Sequence, residues 1–169
     1  MEYQTVYHNF EPLYAPDSRV LLLGSMPSPK SREQGFFYGH PQNRFWRVLA
    51  AVLGQDAPQT VADKRALCLR HGIALWDVLA SCDIVGASDA AIRNPVSNDL
   101  RPILQGTQVR AIFTTGGAAW KLYHQLIEPV TGMPAGKLPS TSPANAAWSA
   151  ERLTAAYRAA LAPWLADLP

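Results

Sequence analysis

Apolar residues fall in short, separated runs along this chain. The strongest is Val20-Leu21-Leu22-Leu23, bracketed by Arg19 and Gly24. An unbroken apolar run of that length predicts a strand buried on both faces, as in a parallel sheet covered by helices. The chain leaves it through Gly24-Ser25-Met26-Pro27-Ser28-Pro29, which predicts a stiff loop, and the polar and aromatic stretch over 30–42 extends that loop. Apolar positions then recur at helical spacing from about Asn43 through Phe45, Trp46, Val48, Leu49, Val52 and Leu53, with Gly54 as the stop. A second helix is expected from about Val61 to Arg70, with Thr60 as its N-cap and Gly72 beyond its end.

Ile73 to Leu79 reads as a short strand or buried edge. Ser97-Asn98-Asp99 predicts the cap of a short helix ending near Gln105-Gly106. Val109 to Thr115 is rich in β-branched residues and predicts a strand, followed by Gly116-Gly117 and a helix through about Ile127. Lys137 to Ser140 is a last short strand candidate, and a final helix is expected from about Ala146 to Trp164. Strands alternating with helices imply an α/β fold with a parallel sheet and helices on both faces. In such sheets the site lies outside the carboxyl ends of the strands. The loops after Leu23, Phe113 and Leu138 should therefore converge.

Composition narrows the class. The 169 residues carry 15 Lys and Arg against 13 Asp and Glu, a net charge of +2, with 48% hydrophobic residues. These values exclude a disordered tail, a coiled coil and a strongly basic nucleic-acid coat, but permit an enzyme with a local basic patch. One domain over residues 1–169 is the natural count. Cys68 and Cys82 form no Cys-x-x-Cys pair, so no cysteine-built metal site and no cofactor is expected. The residues from Met1 to Phe10 lack an apolar export segment, and no run of ~18 apolar residues suggests a membrane span. A cytoplasmic protein is the expectation, with no obligate protein partner evident.

Candidate chemistry concentrates in two loops. Gly24 allows close approach of backbone to a ligand, and the loop after it lacks the spacing of a phosphate loop. The segment Gly35-Phe36-Phe37-Tyr38-Gly39-His40-Pro41-Gln42-Asn43-Arg44-Phe45-Trp46 is more specific. Its aromatics Phe36, Phe37 and Tyr38 offer a stacking face for a flat ring, whereas Phe45 and Trp46 open a helix and read as core.

The Gly-Ser-Met-Pro loop and the His-Pro-x-Asn-x-Phe-Trp segment resemble the hypoxanthine-DNA glycosylase, or DNA-deoxyinosine glycosylase, family of the uracil-DNA glycosylase superfamily. The resemblance continues at Leu75-Trp76-Asp77-Val78, at Asn98-Asp99-Leu100 and at Leu138-Pro139-Ser140-Thr141-Ser142-Pro143-Ala144-Asn145, and spans about residues 18–157. It implies a three-layer α/β/α fold around a central, mostly parallel four-stranded sheet. It also implies excision of a deaminated base, hypoxanthine or uracil, from DNA. Met26 stands where mismatch-specific relatives hold a water-positioning Asn, as in the hypoxanthine-type family, which uses the Asn that maps to Asn43. Ser140, Thr141 and Ser142 occupy the late loop where many superfamily members carry a base-binding His. Where the family usually shows Asn-Gly after the third strand, this chain has Thr115-Gly116, and a hydroxyl reads an edge differently from an amide.

Glycosylases flip the base into a pocket, and N-glycosidic cleavage then needs donors aimed at the leaving base and a held water for the sugar carbon. The resemblance therefore assigns Asn43 and Ser142 to catalysis, and Gly24, Ser25, Met26, Phe37, Tyr38, His40, Thr115 and Asn145 to the substrate. His40 is open between a ligand donor and a loop-structuring residue, and Asn145 between a phosphate contact and a helix cap. Lys30, Arg44, Ser140, Pro143 and Ala144 are the expected DNA contacts, with residues 143–147 as a wedge and Arg32 and Arg47 completing the basic stretch. No lysine stands out as a Schiff-base nucleophile, so a monofunctional enzyme is expected. Asp77 reads as structural, and Asp83 and Asp89 as solvated loop residues. A nucleoside N-glycoside hydrolase and a non-catalytic damaged-DNA-binding module are the competing readings.

Overall fold

A computed structural model describes residues 2–86 and 91–165. Asp89 lies outside these residues. Four strands form a parallel sheet: β2 (Val20–Gly24), β3 (Ile73–Asp77), β6 (Ala111–Thr115) and β7 (Gly136–Leu138), in spatial order β3-β2-β6-β7. The apolar run of β2 serves both faces. Val20 and Leu22 point into one core with α2 (Phe45–Leu53), α3 (Val61–Arg70) and α7 (Ala150–Leu161). Leu21 and Leu23 point into the other, with α4 (Arg101–Gly106) and α5 (Gly117–Leu126). This is the expected three-layer α/β/α arrangement, with β2 at its centre because only that strand is apolar at every position.

Several features depart from the sequence reading. The run from Ile73 breaks at Val78, and β4 (Leu79–Ile84) leaves the parallel sheet. It joins β1 (Gln4–Tyr7) and β5 (Arg93–Ser97) in a second, antiparallel sheet of order β1-β4-β5. The polar N-terminal segment gave no signal for β1, because only Val6 turns onto the core. Asp83 therefore sits on a strand rather than a loop, accepting from Thr5 Oγ1 at 2.6 Å and from Asn94 Nδ2 at 2.8 Å.

The first loop contains a helix, α1 (Pro29–Gln34). Ser28 caps it by accepting from the Ser31 amide, Pro29 supplies the preset first φ, and Gly35 ends it at φ 75°. The last helix starts later than its apolar stripe suggested, at Ala150, where Ser149 accepts from the Arg152 amide. Residues 139–149 are thereby left as a loop. Between α5 and β7 lies one short turn of helix, α6 (Glu128–Thr131). Among the described residues no helix is long and apolar enough to cross a membrane.

Candidate active site

The parallel register places Gly24 beside Asp77 at the carboxyl rim of the sheet. Thr115 ends β6 on the other side of β2, and the loop after β7 rises next to it. These loops enclose a cavity of about 360 Å³. The expected convergence therefore occurs, with the strand after Ile73 contributing as well.

The floor is built around Gly24. A Cβ there would stand 2.5 Å from Asp77 Oδ1, so only glycine lets that carboxylate close over the strand end, with Tyr38 Oη in ordinary contact range at 3.6 Å. Tyr38 itself is held in the left-handed region at φ 51°, at a cost of about 1–2 kcal/mol for a residue with a Cβ. Two contacts hold it there. Its ring stacks on Phe45 at 3.8 Å between centroids, and its hydroxyl lies 2.9 Å from Thr115 Oγ1. Burial, and then the charge of Asp77, push the Tyr38 hydroxyl well above the usual tyrosine range, so it stays protonated and can donate.

The opposite wall carries Asn43. Its Oδ1 accepts from the Phe45 amide at 2.9 Å and from Thr141 Oγ1 at 2.8 Å. Because a backbone N–H can only donate, these bonds fix which end of the amide is oxygen. The side chain caps α2 and is locked against the late loop, while Nδ2 carries no hydrogen bond among the described residues. Ser142 Oγ accepts from the Ala144 amide, and its own amide donates to Ser140 Oγ. Both hydroxyls line the cavity.

Most expected site residues line this cavity: Gly24, Ser25, Met26, Phe37, Tyr38, His40, Asn43, Thr115, Ser140, Ser142, Pro143 and Ala144. Their expected roles need correction in several cases. Phe36 and Phe37 are buried in the aromatic core, and one face of Tyr38 is covered by Phe45, so the three rings do not form an open stacking platform. His40 Nδ1 accepts from the Gln42 amide, which is the loop-structuring reading.

Asn145 does not line the cavity; its Nδ2 donates to the Ser140 carbonyl and closes the late loop on itself. Arg44 was expected on DNA. Its guanidinium instead donates inward to the carbonyls of Trp148, Ser142 (3.0 Å) and Asn145 (3.1 Å), because the loop turns three carbonyls toward α2. Lys30 lies on the exposed face of α1, 3.5 Å from Glu33. Arg32 is the guanidinium that lines the cavity, donating to the Pro27 carbonyl at 2.6 Å.

Sequence reasoning missed Thr141 as the partner of Asn43, and it singled out Asp77 among the carboxylates but read it as structural. Asp77 lines the cavity, and its Oδ2 accepts from His8 Nε2 at 2.7 Å. Its place at the carboxyl end of β3 was a usable signal, because that rim is where such sheets bind ligands. His8 had none, since it reaches Asp77 only through the second sheet.

A family profile described as the Uracil DNA glycosylase superfamily matches residues 11–166. The chain belongs to that superfamily. As a member it is a DNA glycosylase, a hydrolase of N-glycosyl bonds. A protein named "Hypoxanthine DNA glycosylase" from Methanosarcina acetivorans is 28% identical over 148 residues, covering 87% of this chain and 93% of the relative. Another of that name from Methanosarcina barkeri is 34% identical over 90 residues, 53% of this glycosylase and 57% of the relative. The fold matches the solution NMR structure of a "putative Uracil DNA glycosylase" from Methanosarcina acetivorans, with TM-score 0.74 and 27% identity, over 89% of this chain and 95% of that one.

Proposed function

We propose that this glycosylase releases hypoxanthine from DNA by monofunctional hydrolysis, with Asn43 holding the attacking water. The observation that carries the reading is the Asn43 amide, fixed in the wall of a base-sized cavity by two bonds to Oδ1 with Nδ2 left for a ligand. Likeness to relatives named for hypoxanthine supports the choice of base.

The chemistry follows from the charge that develops. As the glycosidic bond lengthens, the sugar becomes cationic and the base carries negative charge. Groups already oriented toward the base stabilise that charge without reorganising. The Ser142 hydroxyl and the Tyr38–Thr115 pair, whose mutual bond uses one of their two protons, are the donors available. A neutral amide is too weak a base to deprotonate water, so Asn43 acts by placing it, which converts an encounter into a held geometry. Among the described residues no lysine lines the cavity, which supports hydrolysis without a covalent imine.

The test is base release from labelled oligonucleotides carrying hypoxanthine or uracil, read as strand breaks after hot alkali. Wild type is expected to release hypoxanthine, and borohydride is expected to trap no adduct. Asn43→Asp retains the oxygen that accepts from Phe45 and Thr141 but replaces Nδ2. It should lose most single-turnover activity while folding normally. Full activity in that variant would refute the role of Asn43.

A further inference from the structure

The polar edge of a deaminated base differs from that of its parent in one decisive respect. Hypoxanthine presents a ring N–H beside a carbonyl, whereas adenine presents a bare ring nitrogen beside an amine. A site that selects hypoxanthine therefore needs an acceptor facing that ring position, since a hydroxyl can turn to suit either base. Tyr38 and Thr115 carry hydroxyls and cannot by themselves discriminate.

We propose, building on the glycosylase reading above, that Asp77 reads the ring N–H of the flipped base, and that His8 is the positioning residue that aims it. Asp77 stands at the end of β3, with its side chain nearly buried at 7% exposure and that of His8 at 3%. One oxygen, Oδ2, is held by His8 Nε2 at 2.7 Å. The other, Oδ1, closes over Gly24, which the Tyr38 hydroxyl also approaches; both residues line the cavity, and Oδ1 has no hydrogen bond among the described residues. A carboxylate oxygen accepts and never donates. It pairs with the ring N–H of hypoxanthine and repels the lone pair that adenine offers at the same place.

His8 can aim it because the imidazole is itself fixed, 4.5 Å from the Phe10 ring and 4.1 Å from Trp76 between centroids. His8 follows β1, whose pairing with β4 delivers it to Asp77, and its amide continues that pairing by donating to the Ala80 carbonyl at 2.8 Å. The second sheet thus supplies a part of the site that the parallel sheet lacks.

Asp77→Asn inverts the reader without changing its shape. With the proton kept on His8 Nε2, as the bond to Asp77 requires, the amide oxygen accepts from it and Nδ2 turns into the cavity as a donor. Single-turnover release of hypoxanthine and of adenine from matched oligonucleotides should then be compared for wild type, Asp77→Asn and His8→Phe. In Asp77→Asn, hypoxanthine release should fall roughly 10- to 100-fold, as for a buried donor facing a donor, and adenine release should fall less or rise. The hypoxanthine-to-adenine ratio should narrow. His8→Phe keeps a ring between Phe10 and Trp76 and should narrow the ratio by a smaller factor, with His8→Gln restoring part of it.

Equal losses on both bases, or an unchanged ratio in Asp77→Asn, would overturn the assignment while leaving the glycosylase reading intact. If Asp77→Asn fails to fold, His8→Phe decides in the same way. A wild-type chain that releases no deaminated base would sink the glycosylase reading and this assignment together.

Discussion

The two walls of the cavity are held by different forces. The Gly24 wall belongs to the core: Tyr38 stacks on Phe45, Asp77 is nearly buried, and the strand ends beneath them are apolar on both faces. The wall from Pro139 to Ser149 has a buried residue in Thr141, but its tip at Pro143 and Ala144 is exposed. It keeps its shape through polar bonds from outside itself, chiefly from Arg44, with Tyr157 donating to the Pro139 carbonyl at 2.7 Å. Packing fixes the part to which we assign discrimination between bases by a single hydrogen. Hydrogen bonding holds the part whose tip stays exposed, the part that the proposed reading turns toward DNA.

The strongest way to break this contrast is Arg44→Met. Three loop carbonyls would lose a charged donor, and hydrogen bonds to charged groups contribute about 1.5–3 kcal/mol each in favourable cases. Base release should fall on the order of 100-fold, the effect of displacing groups from attack geometry. The salt dependence of DNA binding should keep its slope, because Arg44 meets carbonyls rather than phosphates. Single-turnover rates and binding at several salt concentrations would check this; a shallower slope would return Arg44 to the DNA.

Gly24→Ala strikes the other wall. The new methyl would sit 2.5 Å from Asp77 Oδ1, so the carboxylate must turn and its bond to His8 must lengthen. Hypoxanthine release should drop roughly tenfold, with a stability loss of about 1–3 kcal/mol of the kind seen on overpacking. Urea denaturation and rate measurements read the two effects separately.

Tyr38→Phe removes the bond to Thr115 and should cost about 1 kcal/mol. Its sharper signature is alkaline. Tyr38 holds its proton above the ordinary tyrosine range, whereas the unfolded chain loses it near pH 10. Above that pH the native state binds more protons than the unfolded state, so stability falls as pH rises. The melting temperature should drop less steeply above pH 10 in Tyr38→Phe than in wild type.

The smallest effect is expected from Lys30→Ala. Among the described residues this exposed lysine pairs only with Glu33, and such pairs contribute ~0.2–1 kcal/mol at most. Base release should be unchanged within about twofold, the corresponding margin of free energy being a few tenths of a kcal/mol. A large loss would place α1 on the DNA.

Much of this was legible without coordinates. The run Val20 to Leu23 defines the central strand because nothing polar interrupts it, and Gly24, Thr115 and Ser140 to Ala144 follow from the rim rule for parallel sheets. Local chemistry also marked Thr60 as a cap, and it accepts from the Asp63 amide at 3.0 Å. Arg44 misled because a basic residue in a polar segment looks alike whether it faces phosphate or carbonyl. Lys30 stands outside the cavity lining, because nearness in sequence to a loop is not nearness to its cavity.

The sequence by itself determined the layers, the strands and main helices around the parallel sheet, and the end of that sheet at which chemistry gathers, because periodicity and strand ends are local properties. Only the tertiary structure decided which polar groups face inward together. His8 meets Asp77 across 69 positions and Thr141 meets Asn43 across 98. Such pairings depend on strand register and loop closure, which place side chains within about 3 Å of one another through contacts no local pattern encodes.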